Sequence, residues 1–150
     1  MKEKTLSVPA ICEGTVIDHI QSGQGLRILR LLKLQGAPPI TLGLNLKSES
    51  MGMKDLIKVE NIFLTLDQTA QIALFSPRAT VNVIQNYQIT TKYRVQLPRD
   101  IEEVLSCPNP CCITQMEKVP ARFTILDRGG SIHLRCQFCE KVHQREELDD

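Results

Sequence analysis

The chain has no tryptophan, two tyrosines and four phenylalanines among its 150 residues, too few rings for the aromatic platforms on which single-stranded nucleic acid is stacked. It also lacks a net charge worth the name. Eighteen Lys and Arg against 17 Asp and Glu leave +1, which disfavours a general binder of phosphate backbones. No apolar run approaches the roughly 18 to 20 residues that span a bilayer, so neither nucleic acid nor a membrane is expected as a partner. Glycine-rich loops of the P-loop or dinucleotide type are missing, and a bound nucleotide would therefore be a ligand rather than a substrate for hydrolysis. The three histidines, His19, His133 and His143, stand in no motif that supplies a nucleophile and its base. These absences point to a binding chain and not to an enzyme.

What is present is ordinary globular composition, 42% apolar and 23% charged, in a length that suits one domain or two small ones. The charge is unevenly distributed. Residues 1–97 carry 11 Lys and Arg against 7 Asp and Glu, whereas residues 98–150 carry 7 against 10. The start, Met1-Lys2-Glu3-Lys4-Thr5, shows neither a signal-peptide core nor a transit segment. That predicts a cytoplasmic protein, in a reducing compartment where close cysteine pairs read as metal ligands before they read as disulfides.

The periodicity predicts two pieces. A strand runs from Leu6 to Ile20, rich in Val, Ile and Thr; Gln21 to Gly25 break it, and a helix follows in which Arg27, Arg30 and Lys33 share one flank. Strict alternation over 40–46 gives a second strand, and 54–64 a third that pairs with it as a hairpin. Its Asp55, Ile57 and Val59 lie on one face and Leu56, Lys58 and Glu60 on the other. Thr65 and Gln68 have the spacing of a capping box and open a second helix that Ser76-Pro77 ends. Strands over 79–85 and 87–97 flank a turn at Asn86-Tyr87. The order β-α-β-β-α-β-β is that of an α+β ferredoxin-like sandwich with one added strand. Pro98 marks the boundary, with domains at 1–97 and 98–150. A short helix or turn over 101–105 then leads to a small cysteine-rooted hairpin, with strands in 119–126 and 131–136.

About 50 residues bury little core and usually need a staple. Cys107, Cys112, Cys136 and Cys139, spaced C-x4-C-x23-C-x2-C, would supply four thiolates to one zinc ion, a closed structural site whose binding energy is folding energy. Buried free thiols or two disulfides are the alternatives, and Cys111 could stand in for Cys112. Cys12 lies far off in a strand. Zinc ribbons often bind nucleic acid, which is the alternative function. Four thiolates and one divalent cation, however, add negative charge to an already acidic segment, so a protein contact suits this module better.

In the first piece Asp18, His19, Lys54, Lys58, Asn82, Tyr87 and Lys92 lie on strands or at strand ends that a ferredoxin-like order brings side by side. Cations there suit phosphates, and a carboxylate suits ribose hydroxyls. GTVIDHI (14–20), GLNLKS (43–48), MGMKDLIKVEN (51–61), ATVN (79–82), NYQITTK (86–92), CPNPCCIT (107–114) and CQFCEK (136–141) follow in order, and on them the whole chain resembles the regulatory chain family of aspartate carbamoyltransferase.

The resemblance implies a nucleotide-binding allosteric domain followed by a rubredoxin-like zinc-ribbon domain that docks on the catalytic chain, in a subunit that does no chemistry itself. It implies cytidine, uridine and adenosine triphosphates (CTP, UTP and ATP) as allosteric ligands controlling an early step of pyrimidine biosynthesis. Carried onto this chain, Ala10, Ile11, Ile84 and Tyr87 would surround the base, and Val8, Val16 and Ile89 would line the same pocket. Asp18 and Lys58 would meet the ribose, and His19, Asn82 and Lys92 the triphosphate. Lys54 and Leu46 would lie where a second nucleotide or metal-bridged phosphates approach, and Pro9 would remove a backbone donor beside the base. Regulatory chains would pair through their allosteric domains, three such dimers bridging two catalytic trimers.

Overall fold

The computed structural model describes residues 10–117 and 119–148. Val8 and Pro9, and the expected strand start at Leu6, lie outside them. The first strand described is β1, Glu13–Gln21, followed by α1, Gly25–Leu32, then β2, Ile40–Ser48, and β3, Gly52–Glu60. Next come α2, Leu66–Phe75, β4, Thr80–Gln85, and β5, Gln88–Arg94. These strands form one antiparallel sheet in the order β2-β3-β1-β4-β5, the ferredoxin-like arrangement with β5 added at one edge.

Period two explains why the helices lie on one face only. Thr15, Ile17 and Ile20 of β1, Asp55, Ile57 and Val59 of β3 and Val81 of β4 are buried, and Ile28, Leu31 and Leu32 of α1 with Ile72, Ala73 and Phe75 of α2 belong to the same core. The opposite face keeps Val16, Asp18, Lys58 and Thr80 only partly covered. Helix α2 begins with the capping box expected at Thr65. Its hydroxyl accepts from Gln68 N at 3.2 Å, and the Gln68 side chain accepts from Thr65 N at 2.9 Å. Gly14 holds β1 tight against β3, since a Cβ there would sit 2.2 Å from Val59 O.

A second sheet follows in the order β6-β7-β8-β9, from β6, Asp100–Glu102, β7, Arg122–Arg128, β8, Ser131–Cys136, and β9, Val142–Gln144, with a four-residue helix α3, Ile113–Met116, between β6 and β7. Residues 100–102 are thus a strand where a helix or turn was expected. Asp100-Ile101-Glu102 alternates, the buried Ile101 lies opposite Phe123, and Glu103 at φ 66° ends the extension. Strand β9 is a further addition to the expected hairpin. The chain end returns to the helical layer: Leu148 is fully buried and its carbonyl accepts from Arg27, while Arg145 Nη1 donates to Leu74 O at 2.7 Å. Both guanidiniums lie over the Phe75 ring, at 4.3 and 5.9 Å from its centroid.

Asp55 ties three segments together. It is fully buried, and its Oδ2 accepts from Gly23 N at 3.0 Å and Gly25 N at 2.9 Å, its Oδ1 from Asn45 N at 2.9 Å. The carboxylate thus caps the N-terminus of α1, where negative charge is favoured, and holds the irregularity of β2 between Gly43 and Leu46, where Asn45 takes φ 58°. Asp55→Asn would turn an amide NH2 toward backbone donors. We expect a loss of about 3 kcal/mol, the size of a broken buried charge-assisted network, read as a lower urea midpoint at unchanged m-value.

Candidate metal centre and ligand face

The cysteine-rich segments converge because two turns fold toward each other. Cys107 lies in the loop after β6, Cys112 precedes α3, Cys136 ends β8 and Cys139 lies in the turn before β9. Hydrogen bonds from Cys112 N to Asn109 O, at 3.0 Å, and from Glu140 N to Cys136 O, at 2.8 Å, close the two turns. All four sulfurs lie within 4.8 Å of one another, and Cys107–Cys139 and Cys112–Cys136 are each 3.7 Å apart. A tetrahedron with metal–sulfur bonds of about 2.3 Å has edges of about 3.8 Å, so the spacing fits a four-thiolate site with no open position. All six cysteines are free thiols, which disposes of the two-disulfide alternative. Cys112 is buried in the cluster, whereas Cys111 is exposed outside it.

A polar shell surrounds the sulfurs. Thr114 Oγ1 donates to Cys112 Sγ at 3.2 Å, and His143 Nε2 lies 3.9 Å from Cys107 Sγ while its Nδ1 lies 3.6 Å from Glu147 Oε2. Burial pushes the Cys107 and Cys136 thiols up, and neighbouring sulfurs add to the rise. At Cys112 burial is outweighed by hydrogen bonds from Thr114, and at Cys139 by those from the Asn109 side chain and the Lys141 backbone, which bring Cys139 down to about 7. Asn109, Thr114 and His143 are contributors that spacing alone did not single out. The first two had a signal, being short polar residues within two positions of a cysteine, Asn109 inside the Cys107–Cys112 loop and Thr114 just after it; His143 had none.

On the open face of the N-terminal sheet, residues directly opposite one another project to the same side. Val16 of β1 pairs with Lys58 on one side and Asn82 on the other, and Asn82 pairs with Lys92. Lys58, Val16, Asn82 and Lys92 are therefore one row across four strands. A second row joins Gly14, Ile84 and Ile89. The Asn86-Tyr87 turn, with both residues at positive φ, is of the hairpin type I′. Tyr87 N donates to Cys12 O at 3.1 Å, which draws the exposed Tyr87 toward the segment that holds exposed Ala10 and buried Ile11.

Asp18 and His19 sit on an irregularity of β1, between Ile17 and Ile20, with His19 at φ 56°. Asp18 stands beside Lys54: its Oδ1 is 2.8 Å from Lys54 Nζ and accepts from His19 N at 2.7 Å. Partial burial alone would raise the Asp18 carboxyl, but the Lys54 ammonium and the His19 N–H outweigh it and hold it below its ordinary value. Thr80 Oγ1 lies 3.4 Å from His19 Nδ1. Asn82 donates to Val16 O at 3.3 Å, and its Oδ1 is a buried acceptor without a partner among the described residues. Leu46 is exposed on β2, opposite Lys54.

A ferredoxin-like sandwich with a cation-bearing open face, joined to a ribbon whose four cysteines fit a metal ion, defines a two-part chain. Comparison with known proteins gives the family. The model of the aspartate carbamoyltransferase regulatory chain, allosteric domain, matches residues 6–96, and that of the metal binding domain matches residues 99–149. Proteins named aspartate carbamoyltransferase regulatory chain are similar over nearly their whole length. That of Tolumonas auensis is 49% identical over 97% of this chain and 95% of its own, that of Photobacterium profundum 46% over the same shares, and that of Aliivibrio salmonicida 45% over 100% and 99%. The chain belongs to the aspartate carbamoyltransferase regulatory chain family.

Two outcomes follow from the geometry. Cys111→Ser should retain one metal ion per chain after gel filtration, whereas Cys112→Ser should lose it, as read by elemental analysis. Asp18→Asn should lower stability at neutral pH. Because the folded carboxyl titrates below its ordinary value of 3.8, its contribution is present above that value and is lost as pH falls through the lowered one, so the two unfolding curves should converge in acid.

Proposed function

We propose that the chain is a non-catalytic regulatory subunit that binds nucleoside triphosphates on its N-terminal sheet and passes their effect to the catalytic chain of aspartate carbamoyltransferase, in pyrimidine biosynthesis in the cytoplasm. The observation that carries the nucleotide half is the row of Lys58, Val16, Asn82 and Lys92 across the open face. CTP, UTP and ATP are the ligands. Ile84, Ile89, Tyr87, Ala10 and Ile11 form the base end. Asp18 and Lys58 lie toward the ribose, and Lys92, Asn82 and His19 toward the phosphates. Asp18 acts through its Lys54 pair, and the unpaired Asn82 Oδ1 suits a donor from the ligand.

The allosteric domain spans 1–97 and the metal domain 98–150. Cys107, Cys112, Cys136 and Cys139 hold one zinc ion, which supplies folding energy to the ribbon and takes part in no reaction. Exposed Ile113, Met116, Phe138 and Val142 around this centre support docking of the metal domain on the catalytic chain. Exposed Ile40, Leu44 and Leu46 on edge strand β2, with Met53 beside them, support pairing of two regulatory chains through their N-terminal sheets. Three such dimers bridge two catalytic trimers.

The test is calorimetry of the full chain with each triphosphate, followed by assay for released phosphate. Micromolar binding, about −8 kcal/mol, without phosphate release is expected; sustained hydrolysis proportional to protein would refute a ligand role. Lys92→Ala, at an exposed position, should leave the unfolding midpoint and assembly with the catalytic chain unchanged. The nucleotide response of the complex, worth about 1 to 3 kcal/mol of coupling, should fall away, and a full response in this variant would place the phosphates elsewhere.

A further inference from the structure

We propose that His143, held by Glu147, is the positioning residue that completes the hydrogen bonding of the Cys107 thiolate and so sets how tightly the chain keeps its metal ion. The inference rests on the four-thiolate reading above and adds to it a residue that does not itself bind the metal. On β9, His143 stands directly opposite Leu134, a fully buried residue of β8. Its ring therefore projects to the inner face of the sheet, while Val142 and Gln144 turn outward. Alternation reserves such a position for an apolar side chain. A ring that is only 12% exposed needs partners for its nitrogens, and His143 has one for each. Nε2 lies 3.9 Å from Cys107 Sγ, and Nδ1 lies 3.6 Å from Glu147 Oε2. The single turn Arg145–Glu147 after β9 brings that carboxylate back to the ring.

The charge of the cluster explains why Cys107 needs this donor. Four thiolates around one divalent ion carry a net charge of about −2. Cys107, Cys112 and Cys136 are buried, so N–H and O–H groups of the chain must stabilise that charge in place of water. Cys112 Sγ accepts from the hydroxyl and the backbone of Thr114. Cys136 accepts from the backbone of Phe138 and of Cys139, and Cys139 from the Asn109 side chain and the Lys141 backbone. Cys107 accepts from the Asn109 backbone, and His143 Nε2–H supplies its second bond. The His143 nitrogens are not among the ligand atoms that lie within 4.8 Å of one another. The ring thus stands behind Cys107, outside the coordination sphere, where it draws charge from one sulfur and fixes that sulfur's orientation.

The experiment is competition for zinc between the full chain and a chromophoric chelator at one pH, for the wild type, His143→Phe, His143→Gln and Glu147→Gln. The same four proteins loaded with cobalt(II) report the sulfur-to-metal charge-transfer band. Phe fills the space of the ring and donates nothing, whereas the Gln amide keeps a donor. His143→Phe should hold zinc at least about tenfold more weakly, the usual cost of losing an outer-shell partner, and its cobalt band should move to lower energy as the sulfur regains charge. His143→Gln should recover most of the affinity and of the band position. Glu147→Gln, at an exposed carboxylate, should fall between the wild type and His143→Phe, and an unaltered affinity there would overturn the part given to Glu147. If His143→Phe holds zinc as well as His143→Gln, or the cobalt band is the same in all four proteins, the ring only packs and this inference alone is overturned. If the wild type retains no metal after gel filtration, the four-thiolate reading falls and this inference with it.

Discussion

The register of β1 is the constraint on which the N-terminal part depends. This strand lies between β3 and β4, so its alternation decides at once which side chains meet the helices and which face the open side. Thr15, Ile17 and Ile20 go inward; Gly14, Val16 and Asp18 go outward. A slip of one residue would exchange the two sets, burying a carboxylate and exposing the core isoleucines. The close approach at Gly14, where a Cβ would meet Val59 O, opposes such a slip. The irregularity at Asp18-His19 then turns the chain locally, so that His19 meets Thr80 while Asp18 meets Lys54.

The C-terminal part depends on a different term. Four sulfurs drawn within 4.8 Å of each other would repel as thiolates, and a bound metal cation would convert that repulsion into an attraction that holds two turns together. The hydrogen bond from Thr114 and the support that His143 receives from Glu147 orient the sulfurs as outer-shell groups do in other metal sites. His143 and Glu147 belong to the same short return segment as Arg145 and Leu148. The sulfur cluster and the contact with α2 are therefore only a few residues apart.

That return segment is where the two sheets meet through named contacts. Arg27 from α1 and Arg145 from the chain end both lie over Phe75, and Leu148 is buried in a core continuous with that of the helices. Two guanidiniums near one ring repel each other, and each is held by a backbone carbonyl, Leu148 O for Arg27 and Leu74 O for Arg145.

Much of this was legible in the sequence, because local patterns act locally. Period-two alternation located β1 to β5 and separated the two faces of β3, the Thr65-Gln68 spacing announced the start of α2, and the cysteine spacing announced a closed ligand set. Strand β6 was not legible, since three residues of alternation cannot be told from a turn until Phe123 supplies a partner for Ile101. The choice of Cys112 over Cys111 was open in one dimension, and convergence with Cys136 decided it. The same holds for Asp18, which only the folded chain brings beside Lys54. By itself the sequence determined which residues could lie in a strand, a helix or a thiolate set, because those depend on near neighbours along the chain. Only the tertiary structure decided which of them meet, because pairing across strands and burial of charge depend on groups tens of residues apart.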